Sequence, residues 1–270
     1  MKATFDAIAK KSAEAAQTND RDYFNEKGLL CCGKCRFEKQ CRVVVFETEY
    51  TVPCMCRCEI EERDLKEKIR QAERIADIRK NAFSDPVSQS VIFDIDDNKN
   101  SELSLAARKY AEKFGKESKW LFLYGRCGTG KSFFATCICN AVIDKGFTAR
   151  QTTVSEIERE LWAADNKSSV YDRLNSYDLV AIDDLFSERD TEYMNEIVYN
   201  IIDIRYRSRR PMVITSNITI EELVHPQNIS RHRIYSRIYQ MSILINAEGK
   251  DRRFKALKET MREEYEKLLG

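Results

Sequence analysis

Three groups of residues in this chain have types and spacings that can do chemistry. The first is Gly125-Arg126-Cys127-Gly128-Thr129-Gly130-Lys131-Ser132, which fits the P-loop pattern G-x-x-x-x-G-K-[ST]. Its glycines let the backbone wrap so that N–H groups face phosphate oxygens. The N-terminus of a following helix adds a positive partial charge there. In this pattern Lys131 reaches the β- and γ-phosphates of ATP and Ser132 holds Mg²⁺, with Phe133, the next residue, counted as part of the binding loop. The second group closes the run Asp178-Leu179-Val180-Ala181-Ile182-Asp183-Asp184, in which four apolar residues deliver two carboxylates to one strand end. Ligands bind at that end of open α/β sheets. Asp183 is expected to bind Mg²⁺, directly or through water, and Asp184 to orient or polarise an attacking water.

The third group is cysteine. Of ten cysteines, seven lie between Cys31 and Cys58. Such density in a reducing compartment argues for metal rather than disulfides. Cys32-Gly33-Lys34-Cys35 is a C-x₂-C knuckle, and Cys54-Met55-Cys56-Arg57-Cys58 offers two overlapping C-x-C pairs. Thiolates on two turns joined by a hairpin make a closed tetrahedral Zn²⁺ site, whereas the spacings do not match ferredoxin iron–sulfur patterns. The expected ligands are Cys32, Cys35, Cys56 and Cys58. Cys54 remains an alternative to Cys56 or Cys58, and Cys31 and Cys41 are spare. Cys127 reads as a small residue in a tight loop.

Three further runs belong with the loop. Pro211-Met212-Val213-Ile214-Thr215-Ser216-Asn217 is a second apolar strand with a polar end, where Asn217 can sit beside the γ-phosphate. Arg231-His232-Arg233-Ile234-Tyr235-Ser236-Arg237-Ile238 offers guanidinium groups that can stabilise charge on a transferred phosphoryl group; Arg231 reads as part of a solvated helix face. Asp251-Arg252-Arg253 is the weakest of these taken alone. The basic stretch Arg205–Arg210 fits either phosphate contact or a solvated helix end.

The elements that must position these residues alternate. Residues 1–28 suggest a short helical arm, with Phe5, Ile8, Ala9, Ala13 and Ala16 in near-helical spacing, and residues 29–60 form the cysteine module, with short strands at Val43–Phe46 and Tyr50–Val52. Residues 61–100 read as a connecting helix and linker. The helix, over 59–81, is either solvated or packed on its own domain, and Ser84-Asp85-Pro86 opens the linker at 84–100. Residues 101–270 read as one α/β domain. It opens with a helix at Ser101–Phe114, followed by strands at Trp120–Tyr124, Phe147–Thr153, Leu179–Ile182, Met212–Thr215 and Ser242–Asn246. Helices are expected at Ser132–Ile143, 156–164 (opened by a Ser155/Glu158 capping box), 191–208, 219–224, 230–240 and 251–268. Alternating strands and helices predict a parallel sheet covered on both faces.

Composition sets the limits. A 270-residue chain with 43% hydrophobic and 33% charged residues fits one medium domain plus a small module. The net charge of +1 excludes a global basic field, so any nucleic-acid contact must come from a local patch or an assembly. No apolar run approaches the ~18 residues of a membrane span, and Met1–Phe5 lacks the apolar stretch of a secretory signal. A soluble cytoplasmic protein is expected.

Taken together, the five phosphate-site elements resemble the AAA+ ATPases, and most of all the DnaC-type and DnaI-type helicase loaders, phage versions included. The resemblance runs over roughly residues 100–255. It is carried by L-F-L-Y-G-R-C-G-T-G-K-S, D-L-V-A-I-D-D-L, the run Ile201–Asn217 and R-I-Y-S-R-I from Arg233. It implies an ATPase domain with Asn217 as sensor 1 and Arg237 as the arginine finger reaching a neighbouring subunit, with Arg233 the competing choice. It also implies Arg252, or else Arg253, as sensor 2. The cysteine segments resemble the amino-terminal module of such loaders, which docks on the replicative helicase. The family function is ATP-dependent loading of a hexameric helicase onto single-stranded DNA. An IstB-type transposition ATPase shares the same core, and a zinc adaptor switched by nucleotide without turnover is a further alternative. Most AAA+ proteins carry Glu where this chain has Asp184, so hydrolysis is expected to be slow and partner-regulated.

Overall fold

The cysteine region folds as two small antiparallel ribbons, one of two-residue strands (Tyr23–Phe24 and Leu30–Cys31) and one of longer strands rich in β-branched Val and Thr. The computed structural model describes residues 19–45, 47–189, 191–225 and 229–249, together with Tyr265 and Leu268. The chain divides into two compact units after Glu73. In the first, β1 (Tyr23–Phe24) pairs with β2 (Leu30–Cys31), and β3 (Gln40–Val45) pairs with β4 (Thr48–Pro53) in the register Val43↔Tyr50. A bridge between Cys31 and Glu38 links the two ribbons. Of the helical arm expected over 1–28, residues 1–18 lie outside the described residues, and residues 19–28 form turns and β1 rather than helix, with Asn25 Oδ1 accepting from Lys27 N and Leu29 N.

α1 (Arg57–Ala82) is one continuous helix. Its first part is solvated, with Ile60, Leu65 and Ile69 exposed. Farther along, Ile75, Ile78 and Ala82 pack into the core of the second unit. The two readings of this helix therefore each hold for one part of it.

In the second unit the elements run in the expected alternation: α2 (Glu102–Lys113), β5 (Trp120–Tyr124), α3 (Lys131–Asp144), β6 (Ala149–Thr152), α4 (Val154–Ala163), α5 (Lys167–Ser176) and β7 (Leu179–Leu185). They continue as α6 (Glu192–Ser208), β8 (Met212–Ser216), α7 (Ile220–Val224), α8 (Ile229–Met241) and β9 (Ser242–Asn246). The five strands are all parallel, in the order β6-β7-β8-β5-β9. On β5, Trp120 and Phe122 enter the core under α6 and α8, while Leu121 and Leu123 enter the opposite core with Phe134 and Ile138 of α3. Burial on both faces is why these strands read as unbroken apolar runs.

Three expectations shift. α4 is capped by Thr153 and Glu156 in a reciprocal box, two residues before the expected Ser155/Glu158 pair. α5 was absent from the sequence reading; Asn166 caps it and only Val170 and Leu174 are buried. Residues 84–100, read as a linker, are fixed to the second unit. Asn140 Nδ2 donates to Ser88 O at 2.8 Å and to Val91 O at 2.9 Å, and Ser104 Oγ donates to Asp96 Oδ2 at 2.5 Å. The expected helix over 251–268 falls outside the described residues, apart from Tyr265 and Leu268.

Candidate functional site

The loop between β5 and α3 turns on left-handed glycines. Gly125 has φ 130°, and a Cβ there would meet Ala247 O at 3.0 Å. Gly130 has φ 99° and caps α3. A side chain at either position would be strained. Lys131 is buried, and its Nζ donates to Gly125 O and Arg126 O at 2.8 Å and to Asn217 Oδ1 at 2.9 Å. The ammonium thus ties the loop to the end of β8.

The carboxylates are organised from β8 as well. The β7–β8 register shifts between Ile182 and Leu185, and Asp184 and Phe186 take positive φ of 54° and 73°. Asp tolerates this region better than most residues, at a cost of about 1–2 kcal/mol. The resulting bulge brings both acids into the same cavity as the loop lysine. Thr215 Oγ donates to Asp183 Oδ1 at 2.6 Å and accepts from Asp184 N at 2.8 Å. Asn217 Nδ2 donates to Asp184 Oδ1 at 2.6 Å. One amide therefore links the phosphate-type lysine to the expected water-polarising acid.

A cavity of about 490 Å³ collects Cys127, Gly128, Gly130, Lys131, Ser132, Phe133, Asp183, Asp184 and Asn217 of the expected set. Gly125, Arg126 and Thr129 line an adjoining cavity of about 500 Å³, which also touches Asn217. Sequence reasoning missed Ile95, Asp96 and Asp97, which form part of the first wall, and the role of Thr215. The Asp-Ile-Asp-Asp run carried no periodic signal; Thr215 was visible only as a polar residue ending an apolar strand.

Of the arginines in the two basic runs, Arg207, Arg209 and Arg233 are exposed, whereas Arg205, Arg210, Arg231 and Arg237 are held by partners. Arg237 is not among the residues of this cavity: its Nη1 pairs with Asp203 Oδ1 at 2.6 Å. Arg231 is buried rather than solvated; it donates to Asn195 Oδ1 at 2.9 Å and lies over the Phe186 ring. Arg205 is fully buried, donating to Tyr177 O at 2.8 Å and to Pro211 O, and burial pulls its pKa down to about 9. Arg210 donates to Ser176 O. These two staple the lower ends of β7 and β8 and are not offered to phosphates. Arg233 is exposed. Arg252 and Arg253 lie outside the described residues.

In the first unit the sulfurs of Cys32, Cys35, Cys56 and Cys58 all lie within 4.8 Å of one another. A tetrahedral ion with ~2.3 Å metal–sulfur bonds sets its sulfurs about 3.8 Å apart, so this donor set fits one zinc. Backbone N–H groups of Cys35 and Lys34 lower the Cys32 pKa, and the Cys58 N–H leads in bringing Cys35 down to about 6. Both shifts favour the thiolate a metal needs, whereas burial raises the Cys56 pKa, and the Cys58 pKa, pulled down by its bond to Cys56, is raised on balance by Cys32, burial and Cys35, so without metal the cluster holds thiols as well as thiolates. Cys54 points elsewhere, donating to Glu38 O at 3.6 Å, and burial raises its pKa. Gly33 is required, since a Cβ there would lie 2.1 Å from Arg21 O. A charged network braces both knuckles. Asp22 Oδ1 accepts from Gly33 N at 3.0 Å, Glu59 Oε2 accepts from Cys56 N at 3.0 Å, and the buried Lys39 pairs with both acids at 3.0 and 3.1 Å.

A glycine loop on an interior parallel strand, two carboxylates two strands away and an amide at the end of the strand between them define a P-loop nucleotide site on an AAA+-type α/β sheet. The chain belongs to the IstB-like ATP binding protein family, whose model matches residues 52–258. It is similar to the replicative helicase loader DnaC of Escherichia coli (strain K12), 28% identical over 122 residues that cover 43% of this chain and 50% of the relative. It is also similar to the replicative helicase loader DnaI of Bacillus subtilis (strain 168), 25% identical over 150 residues covering 51% and 48%. The chain spans about half the length of the curated relatives it matches. The crystal structure of the DnaC helicase loader superposes with a TM-score of 0.54 at 23% identity, covering 61% of this chain and all of that one. AMPPCP-bound DnaA from Aquifex aeolicus gives 0.51 at 19%, covering 67% and 56%. At these identities the structural likeness is one of fold. The DnaC- and DnaI-type resemblance read from the motifs is borne out by these matches. No helix among the described residues is long and apolar enough to cross a membrane.

Proposed function

We propose that this chain is a cytoplasmic, ATP-dependent loader of a hexameric replicative DNA helicase onto single-stranded DNA, with slow, partner-regulated hydrolysis. The observation that carries the reading is the Lys131–Asn217–Asp184 chain of contacts inside a P-loop cavity, in a fold whose named relatives are helicase loaders. In the nucleotide-bound state Lys131 exchanges the loop carbonyls for β- and γ-phosphate oxygens. Asn217 is then released to contact the γ-phosphate and the attacking water. Ser132 and Asp183 are the residues that would hold Mg²⁺, which neutralises phosphate charge. Asp184 accepts the Asn217 amide and polarises the water, but its short side chain, set on a strained backbone, keeps turnover slow. Arg237 acts in a neighbouring copy, and Arg252 on the nucleotide of its own copy. Cys32, Cys35, Cys56 and Cys58 would hold a structural Zn²⁺ that locks the module docking on the helicase.

Contact with single-stranded DNA is supported by an exposed aromatic cluster. Trp162 is 71% exposed, its ring lies 6.0 Å from that of Tyr193, and Lys167 Nζ is 5.8 Å from both. The two rings are tilted 57° to one another, and an exposed indole face beside a cation suits an unpaired base and its backbone. The IstB-like family match favours a second reading, a transposition ATPase on duplex DNA. The test mixes the full chain with the host's replicative helicase, ATP and Mg²⁺, and measures complex mass. A defined complex weakened by Cys32→Ser or Cys35→Ser supports the loader. No complex at micromolar concentration, with duplex binding instead, supports the transposition ATPase. A nucleotide-switched zinc adaptor would show no difference in phosphate release between wild type and Lys131→Ala.

A further inference from the structure

We infer that Asp203 is a positioning residue for Arg237, holding its guanidinium ready for the nucleotide of a second copy of the chain. The inference rests on reading Arg237 as the finger. Tyr199, Asp203, Tyr206 and Arg207 fall on one face of α6, at i, i+4, i+7 and i+8, and Arg237 of α8 lies against that face. Asp203 Oδ1 is 2.6 Å from Arg237 Nη1. The rings of Tyr199 and Tyr206 each lie 5.1 Å from the guanidinium carbon. Tyr206 is itself fixed by donating from its hydroxyl to Gln240 Oε1 at 3.1 Å. Nη1 is buried in ion-pair contact with the carboxylate, without hydrogen-bond alignment, and two rings restrict the plane.

Two observations separate this arrangement from a simple staple. Arg237 keeps 22% of its side chain exposed, whereas Arg205 is 0% exposed and spends its donors on backbone carbonyls. A guanidinium has five N–H donors in a fixed fork, so the donors beyond Nη1 are left to take a second anion while Nη1 stays beside Asp203. Asp203 is also served on its other oxygen, Oδ2, by Arg207, which is 76% exposed. The buried carboxylate therefore stays compensated if Arg237 shifts toward a neighbour's phosphate. A guanidinium oriented before the phosphate arrives has already lost its rotamer freedom, which is how preorganised charge lowers a barrier.

The test compares phosphate release by the assembled full chain for wild type, Arg237→Ala and Asp203→Asn, over a range of ATP. Asp203→Asn keeps the size and an acceptor oxygen but removes the charge. The expected result is a kcat lowered about tenfold with KM changed less than about twofold. Mixing Asp203→Asn with Lys131→Ala then restores turnover, because the second chain has a dead pocket but an intact finger for its neighbour. A kcat within about twofold of wild type, or a loss that mixing does not restore, overturns the inference. If Asp203→Asn does not fold, Tyr206→Phe and Tyr206→Leu replace it: the ring-keeping variant retains turnover and the ring-losing one does not, and equal rates overturn the inference. The underlying reading fails separately, when Arg237→Ala turns over like wild type or wild type does not turn over at all.

Discussion

Thr215→Val tests whether the end of β8 organises both carboxylates. The substitution replaces a hydroxyl by a methyl at a position 1% exposed, so little shape changes. It removes the donor to Asp183 Oδ1 and the acceptor of Asp184 N. Asp183 is only half-buried, so the lost bond to its carboxylate is placed at the low end, about 1 kcal/mol. The stranded Asp184 N–H costs about 1–2 kcal/mol more. The sum, about 2–3 kcal/mol, corresponds to a drop in Tm of roughly 4–12 °C for a domain of this size. Thermal unfolding of wild type, Thr215→Ser and Thr215→Val, each with and without Mg-ATP, measures it. Serine keeps the hydroxyl and should stay near wild type. Valine should also lose most of the Mg-ATP stabilisation, because the bulge no longer fixes Asp183. A valine variant melting within about 1 °C of wild type, with an undiminished Mg-ATP shift, would refute the argument.

Lys131→Ala should abolish nucleotide-dependent stabilisation while leaving far-UV circular dichroism unchanged; a retained ATP shift in a melting assay would remove Lys131 from the phosphate site. Cys35→Ser should lower bound zinc from one per chain to well below one, read by metal analysis after dialysis, whereas Cys54→Ser should keep one, since its sulfur faces Glu38 O. Equal losses in the two variants would mean a different ligand set. Asp22 is held down to about 2 from 3.8 by the N–H groups of Asn19 and Gly33 and then by Lys39. Its folded pKa lies below the unfolded one, so its contribution is full above about pH 4 and is lost as pH falls through about 2. The stability advantage of wild type over Asp22→Asn should therefore be constant near neutrality and shrink between those limits, as followed by chemical unfolding at each pH.

The parts of the fold legible in the sequence were those where one physical demand fixes the residue type over a whole segment. A strand covered on both faces must be apolar throughout, so Trp120–Tyr124, Leu179–Ile182 and Met212–Thr215 stood out at once. α5 did not, because only Val170 and Leu174 are buried and its first turn, Lys167-Ser168-Ser169, is as polar as a loop. Residues 84–100 failed for a related reason. Their attachment is made by Asn140, Ser104 and Arg108 on other elements and by Phe93, which packs against Phe134, and a lone aromatic carries no periodic signal.

The candidate sites follow the same division. Glycines needing positive φ and thiols needing thiol partners are constrained by type; type and spacing gave the loop and a four-cysteine cluster with Cys54 left open, and the geometry sets Cys54 aside. Arginine is not constrained in that way. Its long stem lets one residue type serve as a solvated charge, a buried staple or a poised donor, and this chain uses it as each: Arg207 exposed, Arg205 sealed among carbonyls, Arg237 held between two rings and an acid. What separates those fates is the neighbouring element. The strand ends under α6 supply the carbonyls for Arg205, and two residues earlier, on the other side of the same helix, Asp203 pairs with Arg237. The loop glycines and Lys131 thus announce the cavity in the sequence, while the partners that decide where Arg205 and Arg237 go lie on other elements and do not.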